Sequence, residues 1–452
     1  MNVRRVVVIG GGISGLASAF EIASRTDDVD LVILEGRDCL GGNIRTLNVD
    51  DCIVDAGPDG VLTSRPEGIA LCRALGLETE LMAPSAEASR ILVAHDESLS
   101  PLPEGLVYGV PRKLGQIART PLLTWRGRAR ATMDLVLPRR RVDEISVGDL
   151  VGRRLGREMK DKLIEPIVGG IFAGNIDRLD AAAATPLLAA APRSLIASMM
   201  KVPRAEGPPF RAPKRGMSRI VEALTARIGT DRIRRQTAAV SLARRTDCWE
   251  VGVSHGPPLQ ADDVIVAAPP FAAAHLVRAL DAELANKLDA IRSLSTAAVV
   301  LAMDASEGLP SAGGLLVPRV EERSIIAATF ASVKWPGRAP QGRVVLRAFV
   351  GGDRAPGLVS SASDDDLVAT VLGDLGKYFP LPPLRSSRVV RFDQATPTPE
   401  VGHGRRVAEI RARAQHWPGL HFAGGGYGAG VGLASCAAQA REAAVAVARR
   451  WS

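Results

Sequence analysis

The sequence predicts an α/β fold opened by a Rossmann-like βαβ unit, and three observations carry that prediction. Val6, Val7, Val8 and Ile9 form a short β-branched run stopped by Gly10, the pattern of a strand buried on both faces in a parallel sheet. Gly10-Gly11-Gly12-Ile13-Ser14-Gly15 follows at once and fits G-x-G-x-x-G, with Leu16 to Ala23 at helical spacing behind it. Asp30-Leu31-Val32-Ile33-Leu34 is a second apolar run, closed by Glu35, 20 residues after Gly15.

The glycines have separate expected tasks. Gly10 makes the tight turn, Gly12 lets backbone approach a pyrophosphate, and Gly15 lets helix and strand pack closely. The helix behind them presents free N–H groups and a positive dipole end to phosphate. An acid at Glu35 suits a ribose hydroxyl and repels the 2′-phosphate of NADP.

Composition bounds the rest. The chain has 452 residues, 46% hydrophobic and 23% charged, which predicts a globular protein of two or three domains. A formal charge of +8 points to anionic partners, with nucleic acid, an acidic membrane surface and a polycarboxylate all open. The positive charge is diffuse and only 4% of residues are aromatic, so no nucleic-acid partner is expected. Cysteines 39, 52, 72, 248 and 436 form no C-x-x-C pair, and histidines 95, 255, 275, 403, 416 and 421 have no ligand spacing. No metal and no disulfide framework are expected, and a reducing, cytoplasmic setting is. The start of the chain runs straight into a strand, leaving no room for a signal peptide, and no apolar run is long enough to span a membrane.

From Pro111 to about Ala191 helix formers and arginines dominate, broken by Pro121 and Pro138, which reads as a helical insertion. Arg126, Arg128, Arg130 and the run Arg139-Arg140-Arg141 lie near Leu122, Leu123, Trp125, Leu135, Val136 and Leu137. That mixture suits peripheral binding to an anionic bilayer, and equally a solvated face of a helical domain. The α/β texture then returns: a helix at Arg219 to Leu224, alternating strands around Ala238 to Leu242 and Trp249 to Val253, and a buried strand from Asp262 ending at Pro269. Short β-like runs fill residues 295–350 and predict a separate sheet. Near the C-terminus, Leu420 to Phe422, the glycine-rich stretch from Gly424 to Gly432 and an Ala-rich helix repeat the order strand, glycine loop, helix.

Glu35 to Thr46, with Gly36, Gly41, Gly42 and Asn43, resembles the E-x5-G-G-x-x-x-T segment of two-dinucleotide flavoproteins, although Cys39 and Asn43 stand where many members carry arginine. Beyond this, the chain resembles the FAD-dependent protoporphyrinogen oxidases and coproporphyrinogen-oxidising enzymes of haem biosynthesis. The resemblance runs over nearly the whole chain, strongest at Gly57-Pro58-Asp59-Gly60, at residues 163–175 around Glu165-Pro166 and Gly169-Gly170, at Lys334 to Pro340, at Val401-Gly402-His403 and in the last glycine loop.

The resemblance implies a Rossmann-like two-dinucleotide-binding FAD domain, discontinuous over 1–82, 212–280 and 386–452. A mixed-sheet substrate domain would occupy 83–110, 192–211 and 281–385, and the helical insertion 111–191. It implies six-electron oxidation of protoporphyrinogen IX to protoporphyrin IX, with molecular oxygen as acceptor and hydrogen peroxide released. Coproporphyrinogen III oxidation by the same mechanism is the alternative; an FAD amine oxidase or desaturase and a redox-silent flavoprotein stand behind it. A homodimer is a further partner expectation.

Carried over position by position, Gly10, Gly11, Gly12, Ile13, Ser14 and Gly15 would hold the pyrophosphate and Glu35 the ribose. Gly57, Pro58, Asp59 and Gly60 would pass the flavin, Val240 would give backbone contact to adenine, and Phe392 would lie near the ring. Gly424, Val431, Gly432 and Leu433 would close the site. For substrate, Arg90 would take a propionate, Gly170 would let backbone approach the macrocycle, Leu316 would give an aliphatic wall and Trp335 would pack on a pyrrole. For Leu316 and Trp335 the competing expectation is core packing, and for Arg90 an ordinary surface arginine. No catalytic side chain beyond the flavin is expected, and His403 is expected to be structural.

Overall fold

The computed structural model describes residues 3–451 apart from 27, 139–143, 204–205 and 429. β1 (Arg4–Ile9) lies at the centre of a five-stranded sheet and is buried from Val6 onward. Its neighbours are β2 (Val29–Leu34) and strand Asp263–Val266, and strands Ile233–Arg234 and Leu420–Phe422 form the edges. Every pair is parallel, with Val6 opposite both Leu31 and Asp263. A parallel strand needs cover on both faces, which is why these runs are continuously apolar.

One face is covered by α1 (Ile13–Ala23), helix Ser218–Ile228 and helix Leu433–Trp451. α1 and the C-terminal helix pack closely because small residues meet there: Ala17 and Ala19 on one, Ala437, Ala440 and Ala444 on the other, all buried in one cluster. The opposite face carries helices Pro270–Val277 and Ala282–Asp289 and a three-stranded antiparallel sheet, Ala239–Arg244, Trp249–Val253 and Leu259–Ala261.

A second, seven-stranded sheet runs in the order Leu384–Pro397, Ser293–Asp304, Arg343–Gly351, Ile325–Phe330, Gly314–Leu316, Ile91–His95 and Ser98–Pro101. It is antiparallel except where Gly314–Leu316 pairs parallel with Ile91–His95. The helical insertion forms its own apolar cluster from Val147, Leu155, Ile164 and Phe172, joined by Leu195, Ile196 and Met199. Within it, residues Lys160–Gly169 form a π-helix containing Pro166. No described helix is long and apolar enough to cross a membrane.

Packing cuts the chain differently from the boundaries expected at 192, 281 and 386. Strand Leu384–Pro397 pairs along Ser293–Asp304, so its residues run in the second sheet and not with the five-stranded one. Leu284, Ala285 and Leu288 bury in the cluster against the five-stranded sheet, and Leu195, Ile196 and Met199 in the helical one. Composition changes gradually across these points, whereas burial changes abruptly.

The two sheets are joined by a charge pair removed from water. β3 (Thr46–Val49) and β4 (Cys52–Asp55) form a hairpin, and the Asp55 carboxylate at its end accepts from Arg338 Nη1 at 2.7 Å, with side-chain exposures of 0% and 1%. Its other oxygen accepts from Thr46 Oγ1 at 2.5 Å and the Met217 N–H at 2.8 Å. Arg338 Nη2 donates to the Pro213 carbonyl at 2.6 Å, and the Ile53 N–H donates to the Arg338 carbonyl at 2.7 Å. One arginine thus fastens the hairpin, the segment before helix Ser218–Ile228 and the loop after Trp335. Arg338→Met strands a buried carboxylate, and the expected loss is about 3–5 kcal/mol. Denaturant unfolding of wild type and variant, followed by tryptophan fluorescence, measures it; unchanged midpoints would contradict this reading.

Candidate active site

The glycine turn after β1 is set by backbone contacts. Gly10 has φ +112, and a Cβ there would stand 2.7 Å from the Ala267 carbonyl oxygen. Its N–H donates to the Leu34 carbonyl at 2.8 Å. A Cβ on Gly15 would overlap the Gly10 carbonyl oxygen, so α1 can sit this close only with glycine there. Gly12 precedes α1 in extended conformation, and a Cβ on it would meet nothing nearer than Gly42 Cα at 3.7 Å. No side chain caps α1 and its first turn holds no acid. The amides of Ile13, Ser14 and Gly15 therefore keep their donors for an anion.

Gly11 has a role the sequence reading did not assign. Its N–H donates to Glu35 Oε2 at 2.9 Å, and a Cβ would collide with Leu40 and with Glu35 itself. Glu35 Oε1 accepts the Arg37 N–H at 2.9 Å. The carboxylate at the end of β2 is thus held in place with a lone pair left on each oxygen. The Thr237 N–H donates to the Glu35 carbonyl at 2.8 Å and leads into strand Ala239–Arg244. Register shifts between Ala239 and Ser241, so Val240 has no partner residue across the ladder and is exposed. A backbone contact to a base is available there. Gly36 lies beside Ala238, 3.3 Å from Ala238 Cβ at its own Cβ position.

The second glycine element backs onto the first. Gly41 (φ +100) donates its N–H to the Gly11 carbonyl at 2.9 Å, and a Cβ on Gly42 would stand 3.2 Å from Gly12 Cα. Asn43 Nδ2 donates to the Ala395 carbonyl at 3.0 Å, tying this loop to strand Leu384–Pro397. A Cβ on Gly57 would overlap the Asn43 carbonyl oxygen and lie 3.7 Å from the ring of buried Phe392. Pro58, Asp59 and Gly60 continue the segment, all part-buried, with Gly60 against Trp335 and Phe210.

Two cations hold that segment. Arg347 Nη1 donates to the carbonyls of Asp55 and Gly57, and its Nη2 stands 3.2 Å from Asp59. Lys334 Nζ donates to both Asp59 oxygens at 3.0 and 2.9 Å. Burial works to raise the Asp59 pKa, but Arg347 and Lys334 outweigh it and hold the carboxyl at about 2. Sequence reasoning missed Arg347 and Lys334. Lys334 lies inside a quoted stretch but received no role, and nothing in the local sequence marks Arg347.

The last glycine loop closes on the first. Gly424 (φ +147) donates its N–H to Gln439 Oε1 at 3.3 Å, and its Cβ position is 3.7 Å from Ser14 Oγ. Tyr427 OH donates to the Ala268 carbonyl at 2.6 Å, and burial drives its pKa up. Val431 packs against the helical cluster, exposed Gly432 has φ +99, and buried Leu433 opens the C-terminal helix. His403 is buried, with Nε2 3.3 Å from the Gly428 carbonyl oxygen, and burial lowers its pKa.

Of the expected substrate residues, Arg90 immediately precedes strand Ile91–His95, Leu316 lies on the neighbouring strand Gly314–Leu316, and Trp335 is not exposed beside them. Arg90 is exposed and its guanidinium has no hydrogen bond or ion pair among the described residues. Its carbonyl accepts the Gly313 N–H at 2.8 Å, and Leu316 sits opposite Val93 two residues into the pairing. Gly170 ends the π-helix and faces open space. That helix hangs on the segment after Leu316 through Glu165, whose Oε2 accepts the Arg319 N–H at 2.9 Å. Trp335 is 1% exposed in the nucleotide-side core, with Lys334 and Arg338 at 5.4 and 5.2 Å from its ring. It is placed as a core residue.

Folding also brings His95, Asp96 and Glu321 within 4.8 Å, which no ligand spacing announced. His95 Nε2 stands 3.3 Å from Asp96, and Glu321 accepts the Asp96 N–H at 3.4 Å, so the group secures a hairpin turn.

Residues 13–448 match the family model described as flavin containing amine oxidoreductase. Coproporphyrinogen III oxidase of Bacillus subtilis (strain 168) is 34% identical, over 97% of both chains. The enzyme of that name from Propionibacterium freudenreichii is 30% identical over 97% of this chain and 90% of its own. Protoporphyrinogen oxidase 1 of Spinacia oleracea chloroplasts is 26% identical over 98% and 83%. Among solved structures, an Exiguobacterium sp. 255-15 protein provisionally assigned as a protoporphyrinogen oxidase superposes with TM-score 0.89 at 30% identity, covering all of both chains. A reduced UDP-galactopyranose mutase superposes with TM-score 0.75 at 17% identity, a likeness of fold alone.

Gly12→Ala and Gly15→Ala should separate binding from folding. Gly12→Ala meets no protein atom closely, so the purified variant is expected to be folded, with normal circular dichroism, but short of flavin absorbance. Gly15→Ala collides with the turn and is expected to lose soluble protein. Full flavin content in Gly12→Ala would remove Gly12 from the pyrophosphate contact.

Proposed function

The chain belongs to the flavin-containing amine oxidoreductase family, and from that premise we propose that this FAD-dependent oxidoreductase oxidises a porphyrinogen to its porphyrin in haem biosynthesis. The observation that carries the reading is end-to-end relatedness: 34% identity over 97% of both chains to a coproporphyrinogen III oxidase. Bound FAD would supply a hydride acceptor for the macrocycle's methylene bridges, and removal of six electrons would reduce three molecules of oxygen to three of hydrogen peroxide. The macrocycle's gain of conjugation drives the reaction, so the chain's own tasks are to bind, orient and exclude water.

The parallel sheet with its glycine turns would form the FAD part. Gly10 to Gly15, Glu35, the Gly41-Gly42-Asn43 loop and Val240 would take the dinucleotide. Gly57 to Gly60, Phe392 and the loop 424–433 would surround the ring. The seven-stranded sheet and the π-helix would take the substrate, with Arg90 on a propionate, Leu316 as an apolar wall and Gly170 as a close backbone approach. An unpaired cation beside an aliphatic strand suits a flat, carboxylated macrocycle.

Protoporphyrinogen IX is the first reading of the substrate, and a cation at Arg90 would suit a propionate of either porphyrinogen. The names of the bacterial relatives favour coproporphyrinogen III, which is the second reading. Side-by-side kinetics on the two porphyrinogens, following porphyrin fluorescence and peroxide, decides between them. Turnover of amines with none on either porphyrinogen, or a flavin that neither bleaches nor yields peroxide, would overturn the reading. Arg90→Ala removes a charge-assisted hydrogen bond, and the expected result is an apparent KM raised about tenfold or more with flavin content unchanged.

A cytoplasmic protein resting on the membrane face fits the helical layer. Trp125 is 72% exposed with Arg126 over its ring at 5.2 Å, and Met133 and Val136 are exposed nearby. The Arg139-Arg140-Arg141 run lies outside the described residues. Flotation with anionic liposomes is expected to recover protein at low salt and less at high salt. No recovery under either condition would make this helical face an ordinary solvated one.

A further inference from the structure

The strand proposed to wall the substrate has an arginine beyond each of its ends. Arg90 stands at one end: its carbonyl accepts the Gly313 N–H at 2.8 Å, where strand Gly314–Leu316 begins. Arg319 follows the other end, three residues after Leu316, in the loop that meets the π-helix. The chain from Gly313 to Arg319 spans at most about 20 Å, with part-buried Leu316 between. The π-helix closes that far end, and Gly170, which faces open space, follows Glu165 by about one turn.

Arg319 is anchored there, but its charge is not spent. Its N–H donates to Glu165 Oε2 at 2.9 Å, whereas its guanidinium comes no nearer to that carboxylate than 3.9 Å. Nη1 makes one long hydrogen bond, 3.3 Å, to the Asp353 carbonyl. Nε is buried without a partner, Nη2 donates to no described acceptor, and the side chain is 36% exposed. Glu165 is shared with Arg354, whose Nη2 stands 3.5 Å from Oε1. Asp353, the other acid at this junction, is taken by Arg292 at 2.5 Å and by the Asn175 N–H. One carboxylate thus faces two guanidiniums at arm's length. Ion pairs elsewhere in the interior are tighter, with Arg338 2.7 Å from Asp55 and Arg154 2.6 Å from Asp134. Burial pushes the Glu165 pKa up in spite of both arginines, as charges this far off allow. A surplus guanidinium left partly in water suits a carboxylate brought by a ligand.

The two porphyrinogens differ in the groups that these ends would meet. Coproporphyrinogen III carries a propionate on every pyrrole, whereas protoporphyrinogen IX has propionates on one side of the ring and apolar vinyl groups on the other. A cation at one end serves either molecule. Cations at both ends serve the molecule charged all round, and set an unpaired charge against the vinyl edge of the other.

We propose that Arg319, set in place by Glu165, binds a second propionate at the end of the site opposite Arg90 and so selects coproporphyrinogen III, the second of the two substrates named above, over protoporphyrinogen IX. This selection rests on the porphyrinogen activity already inferred. Glu165 is a positioning residue in it, since its carboxylate fixes the Arg319 backbone and ties the π-helix to the end of the strand. A purely structural clamp would use the same contacts, but its loss would affect both substrates alike.

The test is steady-state kinetics of the flavin-loaded enzyme on both porphyrinogens, followed by porphyrin fluorescence, with coproporphyrin III titrated into the resting enzyme to read binding alone. Arg319→Met is expected to lower the ratio of kcat/KM for coproporphyrinogen III to that for protoporphyrinogen IX about tenfold or more, mainly through KM, and to weaken coproporphyrin III binding by a similar factor. Arg319→Lys, which keeps a charge but loses the planar fork, is expected to recover part of both. Arg319→Gln, which keeps a donor for the Asp353 carbonyl without the charge, carries the same expectation if Arg319→Met does not fold. An unchanged ratio, or equal losses on both substrates, overturns the proposal, as does a wild-type preference for protoporphyrinogen IX. Wild-type enzyme that oxidises neither porphyrinogen removes the functional reading along with it.

Discussion

The molecule depends on the burial of a carboxylate, Asp55, against a guanidinium, Arg338, between its two larger sheets. Stripping both groups of water costs several kcal/mol each, and their attraction roughly cancels that cost only when the remaining lone pairs and protons are used. Here they nearly all are: Thr46, Met217 and Pro213 complete the set, and only Arg338 Nε is without a partner. A pair of this kind adds little net stability over a well-packed apolar substitute. Its effect is discrimination, because any other docking of the second sheet would strand Asp55 in the core. The register of the hairpin after Gly42, the segment before helix Ser218–Ile228 and the loop after Trp335 are decided together.

Arg347 extends that junction to the site. It lies on strand Arg343–Gly351, in the second sheet, yet donates to the carbonyls of Asp55 and Gly57 on the nucleotide side. With Lys334 it also holds Asp59 ionised. The turn of residues 57–60 is therefore clamped from across the domain boundary, by two cations against one carboxylate. A backbone turn pinned in this way needs no catalytic side chain to be useful: it offers fixed dipoles and a fixed wall, and preorganisation of this sort costs nothing at the moment of reaction. The excess of one positive charge suits an electron-rich group beside it.

The glycine turns show the same economy of placement. The two glycine elements meet through the Gly41 N–H and the Gly11 carbonyl, and the closing loop reaches Ser14 at Gly424. Gly11 is required because the Glu35 carboxylate packs on its N–H, and Gly15 because α1 touches the Gly10 carbonyl. Within the first glycine turn, Gly12 alone is left with room for a Cβ. Residues 41–43 and Gly424 both lie against the 10–15 turn.

What could be read in the sequence follows from how local each cause is. The turn at Gly10, the acid at Glu35 and the strand–loop–helix order at both ends rest on contacts within a few tens of residues or on short-range sterics, so their pattern is visible in one dimension. Arg338 and Arg347 act on Asp55 and Gly57 across more than 280 residues, and an arginine in an alternating strand looks the same whether it faces water or a buried carboxylate. The boundary at 386 was misplaced for a related reason: strand Leu384–Pro397 is half-exposed and polar, and only its pairing with Ser293–Asp304 assigns it to the second sheet. Trp335 shows the converse. The charged contacts of that stretch belong to its neighbours: Lys334 reaches Asp59, Arg338 reaches Asp55, and the indole between them packs against both cations. A conspicuous aromatic in a short segment draws attention to itself, while the electrostatic work is done by the charged residues on either side of it.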